Sequence, residues 1–295
     1  MSIYSMWGAF EIGLIFGLVA LGVLISFRVL NFPDLTVDGS FPLGGATAAI
    51  LIHHGTDPFL ATGVATLAAG FAGMVTGWLN VRLKIMDLLA SILMMIALYS
   101  INLRVMDAPN VPLITDPTVF TLLQPASLED YVARPLILLA LVVIVKLLLD
   151  WFFATQVGLA MRSTGSNPRM ARAQGIRTGN MVLLGMAISN ALCGLAGALF
   201  AQSQGGADIS MGIGTIVIGL AAVIIGESIL PSRRLVVATL AVVIGAVLYR
   251  FFIALALNAD FVGLKAQDLN LVTAVLVTVA LVIPLAKQRL RKKKA

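Results

Sequence analysis

Ionisable side chains inside apolar runs are the first residues of this chain that could do chemistry. Lys146 and Asp150 are four residues apart, so they share one face of a helix and are expected to form an ion pair. Charged groups in apolar surroundings are costly in a membrane, and they usually pair with one another or line a water-filled path. A structural ion pair is the preferred interpretation of these two residues, and a path-lining role is the alternative.

Three further charged residues fall within or near apolar runs, namely Glu11, Glu227 and Arg250. Glu11 and Arg250 are each expected near the outer end of a run, where a long side chain can extend to the membrane surface. Glu227 precedes the polar stretch SILPSRR. We expect it at the cytoplasmic edge, in contact with Arg233, Arg234 or the polar segment 162–176.

The sequence carries no motif for catalysis or metal binding. It has no G-x-x-x-x-G-K-[ST] phosphate loop, no H-E-x-x-H motif and no G-x-S-x-G motif. The two histidines, His53 and His54, are too few to complete a metal site, and the single cysteine, Cys193, excludes an internal disulfide. We therefore expect no cofactor in this chain.

The segment RSTGSNPRMARAQGI, residues 162–176, is a polar and basic interruption between apolar runs. Asn167 is a favourable N-cap, Pro168 suits the first helical position, and Gly175 suits the C-terminal end of a helix. These residues predict a short helix near 167–175.

A helix this short is marginal alone in water and needs a surface to pack against. The predicted helix exposes Arg169 and Arg172 and also carries Met170. That mixture of charge and apolar surface suits insertion into a groove on another protein. A plain connecting loop with one helical turn is the alternative.

The composition indicates a membrane protein. Hydrophobic residues make up 59% of the chain, charged residues only 12%, and the mean hydropathy is +1.00, whereas soluble proteins carry about 25% charged residues. Apolar runs near the length of a membrane span recur along the sequence. The expected fold is an all-α polytopic helical bundle of about nine spans, near 7–28, 40–53, 58–79, 88–104, 134–155, 180–203, 211–229, 235–257 and 269–286.

The second of these segments is short, rich in glycine and contains Pro42. It is expected to be a broken or tilted helix, and whether it crosses the membrane completely is left open.

Lysine and arginine placement predicts the orientation. With the N-terminus outside and the C-terminus cytoplasmic, about fifteen cations fall in the inner segments and about three in the outer ones, which is the bias expected of membrane proteins. The net charge of +6 then mostly reflects the excess of lysine and arginine in the cytoplasmic segments. The basic tail RKKK follows the last span, where such tails are ordinary, so nucleic-acid binding is not expected. The loop 105–133 is expected outside.

The polar segment resembles the coupling loop of permease subunits of bacterial ABC importers of the branched-chain amino-acid and ribose type. That loop follows approximately G-x-x-x-R-A-x-G-x-N-x-x-A-A-x-x-G-I. This chain departs from it at Ser163, where alanine is usual, and around Met170. The stretches VLNFPDLTVDGSFPLGGA and GIGTIVIGLAAVIIGESI are also similar, most of all to the subfamily that accompanies tryptophan- or tyrosine-type binding proteins. The shared positions are Gly158, Arg162, Gly165, Asn167, Ala171, Gln174, Gly175 and Ile176.

The resemblance implies a single transmembrane permease domain over residues 1–295, in the inner (plasma) membrane of a bacterium. A second permease subunit, expected to be another copy of this chain, would complete the translocation path within the membrane lipid. Cytoplasmic ABC ATPase subunits would bind ATP with magnesium and hydrolyse it, and a periplasmic or lipid-anchored binding protein would deliver a small solute such as an amino acid.

Contact with the ATPase would fall to one group of residues, Arg162, Ser163, Gly165, Asn167, Pro168, Arg169, Met170, Arg172, Gln174, Gly175 and Ile176. The alternative from another class is a secondary transporter or channel that needs no ATPase. That alternative predicts a functional charge relay inside the membrane, and internal inverted repeats would support it.

Overall fold

The computed structural model describes residues 3–124, 129–232, 234–257, 275 and 278. The fold is an all-α polytopic membrane bundle. Its described helices are α1 Ile3–Val23, α2 Val37–His53, α3 Pro58–Leu83, α4 Asp87–Met106, α5 Val119–Leu123, α6 Asp130–Ala154, α7 Gln156–Ser166, α8 Pro168–Ala173, α9 Thr178–Gln204, α10 Thr215–Ile229 and α11 Leu235–Leu257.

Seven segments of the described chain are long and apolar enough to cross a membrane, and they coincide with seven of the nine predicted spans. The predicted segment 40–53 is α2, which has only 17 residues and is buried over most of its surface. A helix without a lipid-facing side belongs to the interior of the bundle. The last predicted segment, 269–286, lies outside the described residues except for positions 275 and 278.

Helix α9 is the centre of the bundle and packs against α1, α2 and α3. Small residues allow these helices to approach closely. A Cβ atom on Gly44 of α2 would overlap the backbone of Gly194 on α9. The helix axes therefore approach so closely that a side chain at Gly44 would have to displace α9.

Two short strands join distant parts of the chain at one end of the bundle. Strand β1, Asn110–Pro112, pairs antiparallel with β2, Gly206–Asp208. The β1 strand lies in the segment between α4 and α6, and β2 directly follows α9. This pairing fixes part of the loop 105–133 against the end of α9.

Candidate functional site

The predicted short helix is present as α8, and its ends are formed by the residues that predicted it. The side-chain oxygen of Asn167 accepts a hydrogen bond from the backbone N–H of Met170 at 3.1 Å. Gly175 has a φ of +81°, and its N–H donates to the carbonyl of Arg172 at 3.0 Å. The N–H of Ile176 donates to the carbonyl of Ala171 at 3.0 Å, which completes a glycine-terminated helix end.

Nearly all of α8 is exposed. Met170 is 62% exposed, and Arg169 and Arg172 are also exposed, whereas Ala171 is buried. The small side chain of Ala171 thus packs against the bundle, and the side chains of Arg169, Met170 and Arg172 face outward. This arrangement provides an apolar side chain flanked by two arginines for a partner surface.

Helix α7 was not predicted from the sequence. It directly precedes α8 and connects it to the bundle. The Thr155 hydroxyl caps it by accepting from the N–H of Gly158 at 3.3 Å. A Cβ atom on Gly165 would overlap the backbone carbonyl of Val29, so α7 lies directly against the end of the first span. Arg162, Ser163 and Gly165 therefore belong to α7, where they line a cavity of about 670 Å³ together with Arg28.

The ion pair between Lys146 and Asp150 is present on α6, with 2.5 Å between Nζ and Oδ2. Both side chains are largely buried. The Thr239 hydroxyl of α11 donates to the other carboxylate oxygen of Asp150 at 2.8 Å. The pair therefore also connects α6 with α11, which favours its structural interpretation.

Glu227 pairs with a residue that the sequence did not suggest. The Nε of Arg28 lies 2.8 Å from its carboxylate. Arg28 is at the end of the first span, in a π-helical turn, Leu24–Val29, that continues α1. The contact to Arg28 arises because folding brings α10 alongside α1. Arg233, one of the expected partners, lies outside the described residues, so the predicted contact at the cytoplasmic edge stays a prediction.

Glu11 and Arg250 each contact another helix. The Ser203 hydroxyl, near the end of α9, donates to the carboxylate of Glu11 at 2.6 Å. The guanidinium of Arg250 lies 5.8 Å from the centre of the Phe16 ring, within the range of a cation–π contact. Their expected extension to the membrane surface stays a prediction.

The segment between the first span and α2 forms a buried polar cluster that sequence reasoning missed. Asp34 is 1% exposed. One carboxylate oxygen accepts from the Thr36 N–H at 2.9 Å, and the other accepts from the Asn190 side chain at 2.7 Å. The Asn190 oxygen in turn accepts from the Ser40 hydroxyl at 2.7 Å. The Asp34 carboxylate thus satisfies a backbone N–H of the non-helical segment, as irregular backbone inside a membrane bundle requires.

Asp38 connects the beginnings of two helices. It lies in the first turn of α2, and its carboxylate accepts from the N–H of Ile216 at 2.7 Å and from that of Gly214 at 3.3 Å. These N–H groups belong to the start of α10, where a negative charge is favourable. The sequence hint was a pair of aspartates, Asp34 and Asp38, between two apolar segments, but their partners lie more than 150 residues away.

The described residues contain no group of three or more metal-ligating side chains. His53 lies at the end of α2, with Nδ1 3.2 Å from a carboxylate oxygen of Asp116. The two notable features are thus an exposed short helix, α8, and a polar non-helical segment within the bundle.

Cysteine labelling is expected to separate the two ends of the bundle. Ile114 is 86% exposed in the segment between α4 and α6, and Met170 is 62% exposed on α8. In intact spheroplasts, Ile114→Cys should react with a membrane-impermeant maleimide, and Met170→Cys should react only after permeabilisation. The native Cys193 is buried and gives a low background. Labelling in the reverse order would show that the predicted orientation is wrong.

Residues 8–284 match the family described as the permease component of branched-chain amino acid transport systems. The chain is 38% identical to the tyrosine transport system permease protein of Clostridioides difficile over 264 residues, which cover 90% of this chain and 86% of that protein. It is 35% identical to the uncharacterised protein RP368 of Rickettsia prowazekii over 75% of this chain and 76% of the relative. No solved structure is significantly similar to it.

A shorter similarity is to a nucleoside ABC transporter permease protein of Lactococcus lactis. The two chains are 38% identical over 87 residues, which cover 28% of this chain and 27% of that protein. The printed names of these two relatives thus refer to different solutes, tyrosine and nucleosides.

Proposed function

Because this chain belongs to the permease-component family of branched-chain amino acid transport systems, we propose that it is the membrane subunit of an ATP-driven importer and that α8 couples it to a separate ATPase. The membership and the apolar helices establish a multi-pass transmembrane transport subunit. The ATPase, the external binding protein and the bacterial inner membrane as location are the further content of the proposal.

The exposure of a capped helix on a rigid support is the observation that carries the proposal. Met170 and Arg172 face outward from α8, and α7, which directly precedes α8, lies against the end of the first span. A partner can drive a conformational change only by binding one state better than the other. A short rigid helix that moves together with the bundle provides a contact for such a difference in binding.

The solute is proposed to be an amino acid, and an aromatic one such as tyrosine is the first to test. The support is the relative named as a tyrosine transport system permease, which is similar over 90% of this chain. In this proposal a periplasmic or lipid-anchored protein delivers the solute at the end of the bundle that carries β1 and β2. A second copy of the chain completes the path.

Arg172→Glu is expected to weaken association with the ATPase by about tenfold to a hundredfold, since it replaces a docking cation with an anion. The measurement is co-purification of the ATPase with the tagged permease, followed by ATP-driven tyrosine uptake in proteoliposomes. Arg104→Glu is the matched control, because Arg104 is also exposed but lies in the last turn of α4, near β1.

Undiminished ATPase binding in Arg172→Glu would contradict docking through α8. Uptake that proceeds equally without ATP and without the ATPase would favour the secondary transporter or channel. Loss of binding in both variants would point to a general effect of charge rather than to α8.

A further inference from the structure

A cavity of about 470 Å³ opens between the start of α2, the middle of α4 and the turn before α10. Its volume lies within the range of about 300–1,000 Å³ typical of small-molecule sites. Met95, Ile96 and Ile213 provide apolar walls, and Asp38 and Asn102 provide polar groups. This combination distinguishes the cavity from a simple gap between helices.

One side-chain atom of Asn102 has no hydrogen-bond partner among the described residues. The residue is 1% exposed, and its amide nitrogen donates to the backbone carbonyl of Gly39 at 3.1 Å. That bond fixes the orientation of the amide, since the carbonyl of Gly39 can only accept. The other amide atom, Oδ1, is buried and accepts no hydrogen bond from the part of the chain that the structure describes. A buried acceptor of this kind is costly until it meets a donor.

Asp38 has the capacity to accept further hydrogen bonds. Its two backbone donors, at the start of α10, occupy only part of the acceptor capacity of a carboxylate. The side chain is half-buried and lines the cavity. Within the described ranges, no lysine or arginine forms an ion pair with it.

At Asp38 and Asn102 the polar lining therefore offers acceptors. A cationic amino group is the ligand group that supplies several donors and a complementary charge. The apolar walls suit the remainder of an amphipathic molecule, and the hydroxyls of Tyr99 and Ser100 at the rim can donate to a carboxylate. An anionic solute without an amino group would meet the repulsion of Asp38.

An opening to lipid would leave this lining unsatisfied. Carboxylates and unpaired amides in lipid are costly, and such groups normally face the bundle interior or water. Tyr99 and Ile96 beside the cavity are more than half exposed. The cavity thus fits a face that lines the translocation path, and the exposed part of α4 belongs to that face.

On this basis we propose that Asp38 and Asn102 form a contact site for the amino group of the transported solute, with the solute's apolar side chain against Met95, Ile96 and Ile213. The inference rests on the proposed transport function and adds the place in the bundle where the solute's amino group and its apolar side chain make contact.

Protection of a cysteine at Ser100 tests the site without transport. Ser100 is exposed at the cavity rim, and the native Cys193 is buried. The Ser100→Cys permease in nanodiscs, without ATPase or binding protein, is treated with a water-soluble maleimide in the presence of tyrosine, tyramine or 3-(4-hydroxyphenyl)propionate. Tyrosine and tyramine should slow the labelling, and the deaminated acid should not.

Asp38→Asn in the same background should raise the half-protecting tyramine concentration about tenfold, the effect of one charge-assisted contact. Asn at this position retains an acceptor for α10 and loses the charge. Asp116→Asn, which removes a carboxylate beside His53 at the other end of α2, should leave protection unchanged.

Equal protection by the deaminated acid, or no protection by any of the three compounds, would overturn the proposal. Both of these outcomes are measured on the Ser100→Cys permease alone, so the test remains decisive even if the Asp38→Asn variant fails to fold. ATP-driven uptake without protection would retain the proposed function and reject this site. Protection together with ATP-independent uptake would retain the site and reject the coupling.

Discussion

Replacing Gly175 with proline is expected to reduce ATP-driven transport by about one to two orders of magnitude, the usual size of coupling between sites, while the bundle stays folded. Gly175 has a φ of +81°, whereas proline requires about −65°. Proline also lacks the N–H that donates to the Arg172 carbonyl. The chain after α8 must then follow another course, so the contact between α8 and the ATPase is lost or misdirected.

Gly55 is a closely matched control for this change. Its φ is +82°, its N–H donates to the carbonyl of Ile52 at 2.8 Å, and the N–H of Thr56 donates to the carbonyl of Leu51 at 2.9 Å. Gly55→Pro therefore introduces the same strain, about 1–3 kcal/mol, at the end of α2.

The measurements are ATPase stimulation by tyrosine-loaded binding protein, tyrosine uptake in proteoliposomes, and thermal stability of the detergent-purified permease. We expect similar losses of stability in the two variants and loss of coupling only in Gly175→Pro. Full coupling in Gly175→Pro would show that the course of the chain after α8 is unimportant for energy transfer.

The sequence predicted the parts of the site that depend on neighbouring residues. The ends of α8 are formed by Asn167 and Gly175, each bonded within a few positions along the chain. The Lys146–Asp150 pair follows in the same way from the helical repeat. These features could therefore be predicted without knowledge of the fold, because they depend on local hydrogen bonds and on helix periodicity.

The missed parts depend on contacts between distant segments. Helix α7 includes Gly158 and Gly165, which lower helix propensity, and it forms because it packs against Val29 at the end of the first span. Asp34 meets Asn190, and Glu227 meets Arg28. These partners become neighbours only when the helices pack, so no spacing rule along the sequence indicates them.

The buried cluster around Asp34 should be the most sensitive part of the bundle to substitution. Asn190 is fully buried, and it accepts from Ser40 and donates to Asp34. Asn190→Ala leaves the buried carboxylate without one donor and the Ser40 hydroxyl without its acceptor. We expect a loss of about 3 kcal/mol in the free energy of unfolding, because hydrogen bonds to charged groups are the strong ones.

Ser189→Ala is the control at the neighbouring position. Ser189 is also fully buried, and its hydroxyl donates to the backbone carbonyl of Gly22 at 2.7 Å. Its removal takes away one neutral hydrogen bond and should cost about 1 kcal/mol. The measurement is reversible unfolding of the permease in mixed micelles with increasing sodium dodecyl sulfate. Equal effects of the two substitutions would show that the contact with Asp34 adds nothing beyond an ordinary bond.

A double-mutant cycle isolates the contact itself. Asp34→Ala removes the carboxylate that Asn190 binds, so adding Asn190→Ala to it no longer leaves a buried carboxylate short of a donor. The double variant should therefore be more stable than the sum of the single effects implies, by about 1–3 kcal/mol. Additive effects would mean that the two side chains act independently despite the 2.7 Å between them. Coupling of the expected size would show that the non-helical segment between the first span and α2 is held in the bundle by this contact.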